Sequence, residues 1–246
     1  MRSGNPALSK KSFEGFDVYD QSNLMTLNGT VIKTGILLAL VLGAASVTWN
    51  AVGQQNGNVG PVMMGGLIGG LIFGFITCFK PAWSPVTAPI YAIAEGLFLG
   101  GISAFFNARY PGIAFQAVGL TFGTLASLLF AYSSGLIKAT ENFKLGIVAA
   151  TGGICLVYLA SIVMSFFGVT IPYIHGAGPI GIGFSAFVVI IAALNLVLDF
   201  DFIEHGAERG APKYMEWYGA FGLMVTLIWL YIEILRLLAK LSSNRD

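Results

Sequence analysis

The chain has 246 residues, of which 56% are hydrophobic and 10% are charged, and its formal net charge is +1. Its mean hydropathy is +0.78. Charged residues are less than half as common as in soluble domains, so a water-soluble fold could not cover this much apolar surface and the solvent must be lipid. This composition excludes a soluble enzyme, a disordered tail and a secreted disulfide scaffold, and the near-neutral charge supplies no basic field for nucleic acid.

Apolar stretches of about 18 or more residues predict membrane-spanning helices. The sequence contains seven such stretches, at 31–50, 60–79, 88–106, 113–134, 145–168, 178–200 and 216–240. We therefore expect an all-α polytopic membrane protein with seven transmembrane helices. Its predicted parts are a cytoplasmic N-terminal segment at 1–30, a membrane domain at 31–241 and a C-terminal tail at 242–246.

Lys and Arg residues in short loops are retained on the cytoplasmic side of a membrane. With the N-terminus inside, nine of the thirteen fall on that side: Arg2, Lys10, Lys11, Lys33, Lys80, Lys138, Lys144, Arg209 and Lys213. The opposite side receives only Arg109 in its loops. The remaining Arg236, Lys240 and Arg245 lie there if the seventh segment crosses completely, which we expect because non-helical turns at membrane depth are tolerated only inside protein.

Three acidic residues lie within the apolar spans, where an Asp costs roughly 2.5–3.5 kcal/mol at a helix centre. They are Glu95, Asp199 and Glu233. Asn195 lies one turn before Asp199 on the same helical face, whereas Asp201 is rotated by about 200° and is expected at the cytoplasmic rim. Asp199 is thus either an inward-facing acid or a helix-end carboxylate that reaches interfacial water.

The other two acids also have alternative interpretations. Glu233 has apolar residues on both sides, and Arg236 follows on the same helical face, so Glu233 is either functional or part of an intrahelical salt bridge. Glu95 lies beside glycines that permit close helix contact. It either lines a polar path or is protonated and hydrogen bonded to a neighbour such as Ser127 or Thr124.

Two carboxyl groups forced together in a low dielectric share a proton, and when both ionise they repel each other and offer oxygen ligands suited to Ca²⁺. Asp199 and Glu233, on consecutive helices, are the candidate pair for such a latch and for transient Ca²⁺ contacts. A seventh helix that starts near Glu216 would place Glu233 about 25 Å along it. The two acids would then meet only if this helix begins later, at Gly219 or Gly222.

No enzyme motif competes with this interpretation. The sequence contains neither G-x-S-x-G nor H-E-x-x-H, and no cofactor is implied. The prolines near the spans lie at span ends, which gives little support to a transporter with helices broken at the midplane. The second span is rich in glycine between Gly65 and Gly74, where small residues four apart allow another helix to approach.

Three segments carry a resemblance to a known family. They are Glu95-Gly96 in the third span, Leu198-Asp199-Phe200-Asp201-Phe202-Ile203-Glu204 at the end of the sixth, and Trp229-Leu230-Tyr231-Ile232-Glu233-Ile234-Leu235-Arg236 in the seventh. With seven short-looped spans, they make residues 25–241 resemble the Bax inhibitor-1 family, the transmembrane Bax inhibitor motif proteins. The segment Asn5-Pro6-Ala7-Leu8 is similar to the bacterial branch of that family.

The resemblance implies six helices around a central seventh and a proton-sensitive calcium leak. It also implies that a carboxylate pair between the sixth and seventh helices controls the path, and by motif position this pair falls on Asp199 and Glu233. The sequence departs from the bacterial pattern by carrying Glu rather than Asp at the second position and a longer segment between the two acids. Both differences affect the register of the pair and the pH of gating.

The resulting hypothesis is a pH-sensitive leak for Ca²⁺ in a bacterial inner membrane, with Ca²⁺, protons and the lipid bilayer as partners. Further residues expected in the pore or its polar network are Glu95, Asn195, Asp201 and Arg236. The alternative is a non-conducting regulator that binds a membrane protease or another integral membrane protein. That alternative predicts an exposed glycine-rich face from Gly65 to Gly74.

Overall fold

The computed structural model of the chain describes residues 23–54, 59–168 and 176–244. Within these ranges, seven helices are long and apolar enough to cross a membrane, which confirms the predicted fold class. They are α1 (Leu27–Gly53), α2 (Val59–Phe79), α3 (Ser84–Arg109), α4 (Ile113–Ser133), α5 (Glu141–Phe166), α6 (Pro179–Glu208) and α7 (Met215–Ser243). Most of the predicted N-terminal segment 1–30 and part of the tail 242–246 lie outside the described residues.

Several helices extend beyond the apolar stretches that predicted them. The first helix begins at Leu27 because Thr26 caps it: the Thr26 hydroxyl accepts a hydrogen bond from the Gly29 amide at 3.0 Å. The sixth helix continues past its apolar run to Glu208. The seventh begins at Met215, close to the predicted 216, so the later start at Gly219 or Gly222 that a direct contact between Asp199 and Glu233 would require is not observed.

The seventh helix lies at the centre of the bundle. More than half of its most apolar stretch is buried, a larger share than in any other described helix. It packs directly against α1, α3, α4 and α6, while α2 packs mainly against α3 and α5 against α6. The expected central seventh helix is thus confirmed: four helices pack extensively against it, whereas α2 and α5 pack mainly against other helices.

The N-terminal end of α1 is attached to the connection between α6 and α7. The Met25 amide donates to the Ala211 carbonyl at 2.7 Å, and the Lys213 amide donates to the Asn23 carbonyl at 2.9 Å. These two bonds form a short antiparallel bridge at the end of the bundle where α1 and α7 begin. The bridge satisfies backbone groups that α1 and the connection would otherwise leave without protein partners.

Glycines bring α1 and α3 into backbone contact. A methyl group on Gly100 would lie 2.0 Å from the Ala45 carbonyl oxygen, and one on Gly96 would lie 2.5 Å from the Val41 carbonyl oxygen. In lipid, helices associate through such close packing because the solvent supplies no hydrophobic drive between them. The small residues four apart in α3 therefore set the distance between these two helices.

We expect Gly100→Ala to destabilise the protein by about 1–3 kcal/mol, the usual cost of overpacking a tight contact. The matched control is Gly43→Ala on α1, where an added methyl group meets nothing within 4 Å. Thermal unfolding of the two purified variants in detergent measures the difference. A Gly100→Ala variant that melts together with the control would contradict the proposed role of this contact.

Candidate functional site

Asp199 lies on α6 where that helix faces the central α7. The Thr226 side chain of α7 is within hydrogen-bonding reach of its carboxylate. The other oxygen, Oδ2, is buried and has no hydrogen-bond partner in the structure. Asp199 therefore faces inward, which is one of the two alternatives that the sequence left open, and one of its oxygens is unsatisfied.

Glu233 lies on α7 and is almost completely buried, with 2% of its surface exposed. The Tyr158 hydroxyl, on α5, lies 3.0 and 3.1 Å from its two oxygens and donates to the carboxylate. Arg236, one turn later, donates from Nη1 to Oε1 at 3.2 Å. Its guanidinium also lies 5.5 Å from the centre of the Tyr158 ring, within the range of a cation–π contact.

The two carboxylates face different levels of α7. Asp199 contacts Thr226, which precedes Glu233 by seven residues, or roughly 10 Å along a helix at 1.5 Å per residue. They share no hydrogen bond in this structure, since Glu233 is bonded to Tyr158 and Arg236 and the free oxygen of Asp199 has no partner. The start of α7 at Met215 is what places them on separate levels.

Glu95 is buried on α3, but it faces α2. A methyl group on Gly70 would lie 2.4 Å from its Oε1 atom, so this glycine provides the space that the carboxylate occupies. The hydrogen bond expected with Ser127 or Thr124 on α4 is not formed. Glu95 thus lies between α2 and α3, in a different interface from Asp199.

Two polar residues of α6 have partners on α5. Asn195 donates from Nδ2 to the Thr151 hydroxyl at 2.8 Å, which links the two helices inside the bundle. Asp201 forms an ion pair with Lys144 at 2.8 Å near the start of α5. Asp201 therefore lies at the rim, where the sequence placed it, and not beside Asp199.

A buried ionic cluster surrounds Glu216, and it was not predicted from the sequence. This residue has no exposed surface, and its carboxylate accepts hydrogen bonds from the Thr26 amide at 3.0 Å and the Thr26 hydroxyl at 2.8 Å. Lys33 of α1 pairs with its other oxygen, and Lys213 lies 3.5 Å away. Lys33, a single cation early in an apolar span, was the signal that could have indicated this pairing.

The partners of the two candidate carboxylates were missed as well. Tyr158 follows Leu156 and Val157 in an apolar run, where a phenol within the bundle requires a hydrogen-bond partner. Thr226 likewise places a hydroxyl inside the seventh apolar span. Both signals are local, but neither identifies which distant carboxylate the hydroxyl would meet.

Comparison with known families agrees with this architecture. The family model described as Bax inhibitor 1 like matches residues 5–243, almost the whole chain. The chain belongs to this family. No curated protein and no solved structure matches it.

Within the residues that the structure describes, this Bax inhibitor 1 like chain contains no group of three or more His, Cys, Asp or Glu side chains placed to hold a metal ion. Asp199 and Glu233 belong to no such group, and they lie at different heights along α7. Any Ca²⁺ contact at either residue would therefore use one protein carboxylate together with water and neutral oxygen atoms, which are common Ca²⁺ ligands.

The contact between Tyr158 and Glu233 predicts an energetic coupling between the two residues. A double-mutant cycle with Tyr158→Phe and Glu233→Gln should give a coupling of about 1 kcal/mol in unfolding free energy, as for hydrogen bonds inside membrane proteins. The control cycle replaces Tyr158→Phe with Tyr231→Phe, whose hydroxyl bonds to Ser103 at 2.6 Å. Equal coupling in both cycles would contradict a specific Tyr158–Glu233 bond.

Proposed function

We propose that this protein is a pH-sensitive cation leak, with Ca²⁺ as the transported ion, controlled by Asp199 and Glu233 between α6 and α7. One observation carries the proposal: the Oδ2 atom of Asp199 is buried against the central helix and has no hydrogen-bond partner. Membership of the Bax inhibitor 1 like family supports it, because the resemblance implies a proton-sensitive calcium leak.

A buried carboxylate oxygen without a donor is costly when the group is ionised. Two species relieve that cost, namely a proton on the carboxyl group or a cation beside it. Ca²⁺ prefers oxygen ligands, and a carboxylate is one of its usual partners. Protons and Ca²⁺ therefore compete for Asp199, so that ionisation favours cation occupancy and protonation opposes it.

Glu233 provides a second carboxylate about two helical turns farther along the central helix. Arg236, with 46% of its side chain exposed, is bonded to it and competes with an incoming cation for the same oxygens. Because the two acids lie on different levels, they act in series: a cation that leaves Asp199 reaches Glu233 only by displacing Arg236. Asn195 and Glu95 lie off this line, on the α5 and α2 sides.

The proposal includes a bacterial inner membrane with the N-terminus in the cytoplasm. Its support is the charge distribution in the sequence, since nine of the thirteen Lys and Arg residues fall on the cytoplasmic side when the N-terminus is placed inside. The backbone hydrogen bonds of Met25 and Lys213 join the segment before α1 to the segment before α7, so these two helices begin at the same end of the bundle. A full crossing by α7 then places Arg236 and Lys240 on the other side.

The alternative, a non-conducting regulator with an integral membrane partner, predicts an exposed glycine-rich face on α2. Most of that face is directed toward α3: an added methyl group on Gly66 would lie 2.6 Å from the Ala94 carbonyl oxygen, and Gly70 and Gly74 face Glu95 and Tyr91. The glycines that would receive a partner helix are thus largely used within the chain. This observation favours the leak over the regulator.

The proposal is tested by Ca²⁺ flux into liposomes that contain the purified protein and a trapped calcium dye, across about pH 5–8, where a buried carboxyl group titrates. Flux should rise with pH as Asp199 ionises. Asp199→Asn, which stays neutral at every pH, should lose this pH dependence and reduce flux at the upper end by roughly tenfold, as for the loss of about 1.4 kcal/mol of ionic interaction.

Glu233→Gln should also reduce flux, and the matched control is Glu208→Gln, which removes a carboxylate from the exposed last turn of α6 and should leave flux unchanged. Folding of every variant is checked by gel filtration and circular dichroism. An unchanged pH profile in folded Asp199→Asn, or no flux above empty liposomes for the wild type, would reject the leak.

A further inference from the structure

A cavity of about 300 Å³ opens at the end of the bundle opposite the start of α1. Two cations, Arg236 and Lys240, line it from successive turns of α7. Four of the other described lining residues carry hydroxyl groups, namely Tyr110, Tyr158, Ser185 and Ser243, and none of the described lining residues is acidic. We call this cavity the basic pocket.

Lysines near the ends of membrane helices usually extend toward water. Lys240 does not follow that pattern, because its ammonium group donates to the Gly181 carbonyl at 3.0 Å and to the Ser185 hydroxyl at 2.8 Å, both on α6. Its charge is thus directed across the pocket toward a neighbouring helix. Arg236 is also fixed, between the Glu233 carboxylate and the Tyr158 ring.

The fixed positions of these two cations matter for binding. Binding a ligand costs conformational entropy when it orders long, flexible side chains. Here contacts within the protein already order both side chains, so the site is preorganised. The guanidinium group and the ammonium group present several donors to one volume, and the pocket is of the size that small ligands occupy. Arginine and lysine side chains bind phosphate oxygens through strong, charge-assisted hydrogen bonds.

From this geometry we propose that the basic pocket is a binding site for a phosphate group, held by Arg236 and Lys240. Ser243 and Tyr110 supply neutral hydroxyl groups at its rim. Either a phospholipid head group or free inorganic phosphate carries the required oxygens, and both present the same chemistry to the two cations. The inference stands on the pocket alone and does not depend on cation leakage.

Two assays on the full-length protein in phosphate-free maltoside detergent separate the two sources. In the first, native mass spectrometry compares retention of phosphatidylglycerol with that of a phosphate-free galactolipid. In the second, titration calorimetry measures binding of inorganic phosphate. Preferential retention of phosphatidylglycerol identifies the head group as the ligand, whereas phosphate binding without lipid preference identifies the free ion.

In either case, Lys240→Gln should weaken binding by about tenfold or more, the order expected for loss of one charge-assisted contact. The matched control is Lys138→Gln, which removes the same charge from an exposed position at the other end of the bundle and should leave affinity unchanged. Lys240→Arg keeps the charge and should retain binding.

Ser243→Asp is the second variant, because it places a negative charge at the exposed rim of the pocket without removing a lysine contact. It should weaken binding to a similar extent, and it decides the question if Lys240→Gln does not fold. Equal affinity in wild type, Lys240→Gln and Ser243→Asp would overturn the proposal. So would the absence of phosphate binding together with equal retention of the two lipids.

Discussion

The structure depends on one constraint: ionisable groups buried on or against the central helix must find partners on the helices around it. In hydrocarbon no water can satisfy a carboxylate, so each buried acid requires a donor or a cation from the protein. Glu216 takes Thr26 and Lys33 from α1, and Glu233 takes Tyr158 from α5. These bonds tie the outer helices to α7 at both ends, where apolar packing alone would leave the axial position of a helix poorly specified.

The three acids next to the central axis differ in how completely they are satisfied. Glu216 has several donors and no exposed surface, which is the arrangement of a structural ion cluster. Glu233 is bonded to a neutral phenol and to an arginine that reaches the surface. Asp199 has an oxygen with no partner at all. Buried polar groups that lack hydrogen-bond partners often mark functional sites. Asp199, the least satisfied of the three acids, is therefore the strongest functional candidate, and Glu233 is the second.

Much of this fold follows from hydropathy. Seven apolar stretches predict seven helices, because a lipid-exposed segment must satisfy its backbone internally and only a helix does so over such a length. Helix ends were predicted less well. They contain polar residues, which a prediction from hydropathy assigns to loops. Thr26 starts α1 by capping it, and α6 continues through Asp201 to Glu208 because a helix end at the interface tolerates charge.

The site was predicted only in part, for a related reason. Position along an apolar run identified Asp199, Glu233 and Glu95 as costly residues, but their partners lie far away in the chain. Tyr158 is 75 residues from Glu233, and Thr26 is 190 residues from Glu216. Such pairs depend on how far each helix is displaced along its neighbours, and close backbone contacts such as Gly100 of α3 against Ala45 of α1 restrict that displacement. Helical periodicity predicts which face of its helix a residue occupies, but not which residue of a neighbouring helix lies at the same height.

The charges at the two ends of α7 relate the proposed leak to the proposed phosphate site. Glu216 lies in the first turn and Lys240 in the last. A negative charge at the N-terminal end and a positive charge at the C-terminal end both interact favourably with the helix dipole. For a cation that passes Asp199 and Glu233 in the proposed leak, however, Arg236 and Lys240 would form a positive barrier at the exit. A phosphate bound between them would cancel part of that charge and release Glu233 from competition with Arg236. The occupant of the pocket would then set the height of the electrostatic barrier, while the protonation of Asp199 would set the entry of the cation.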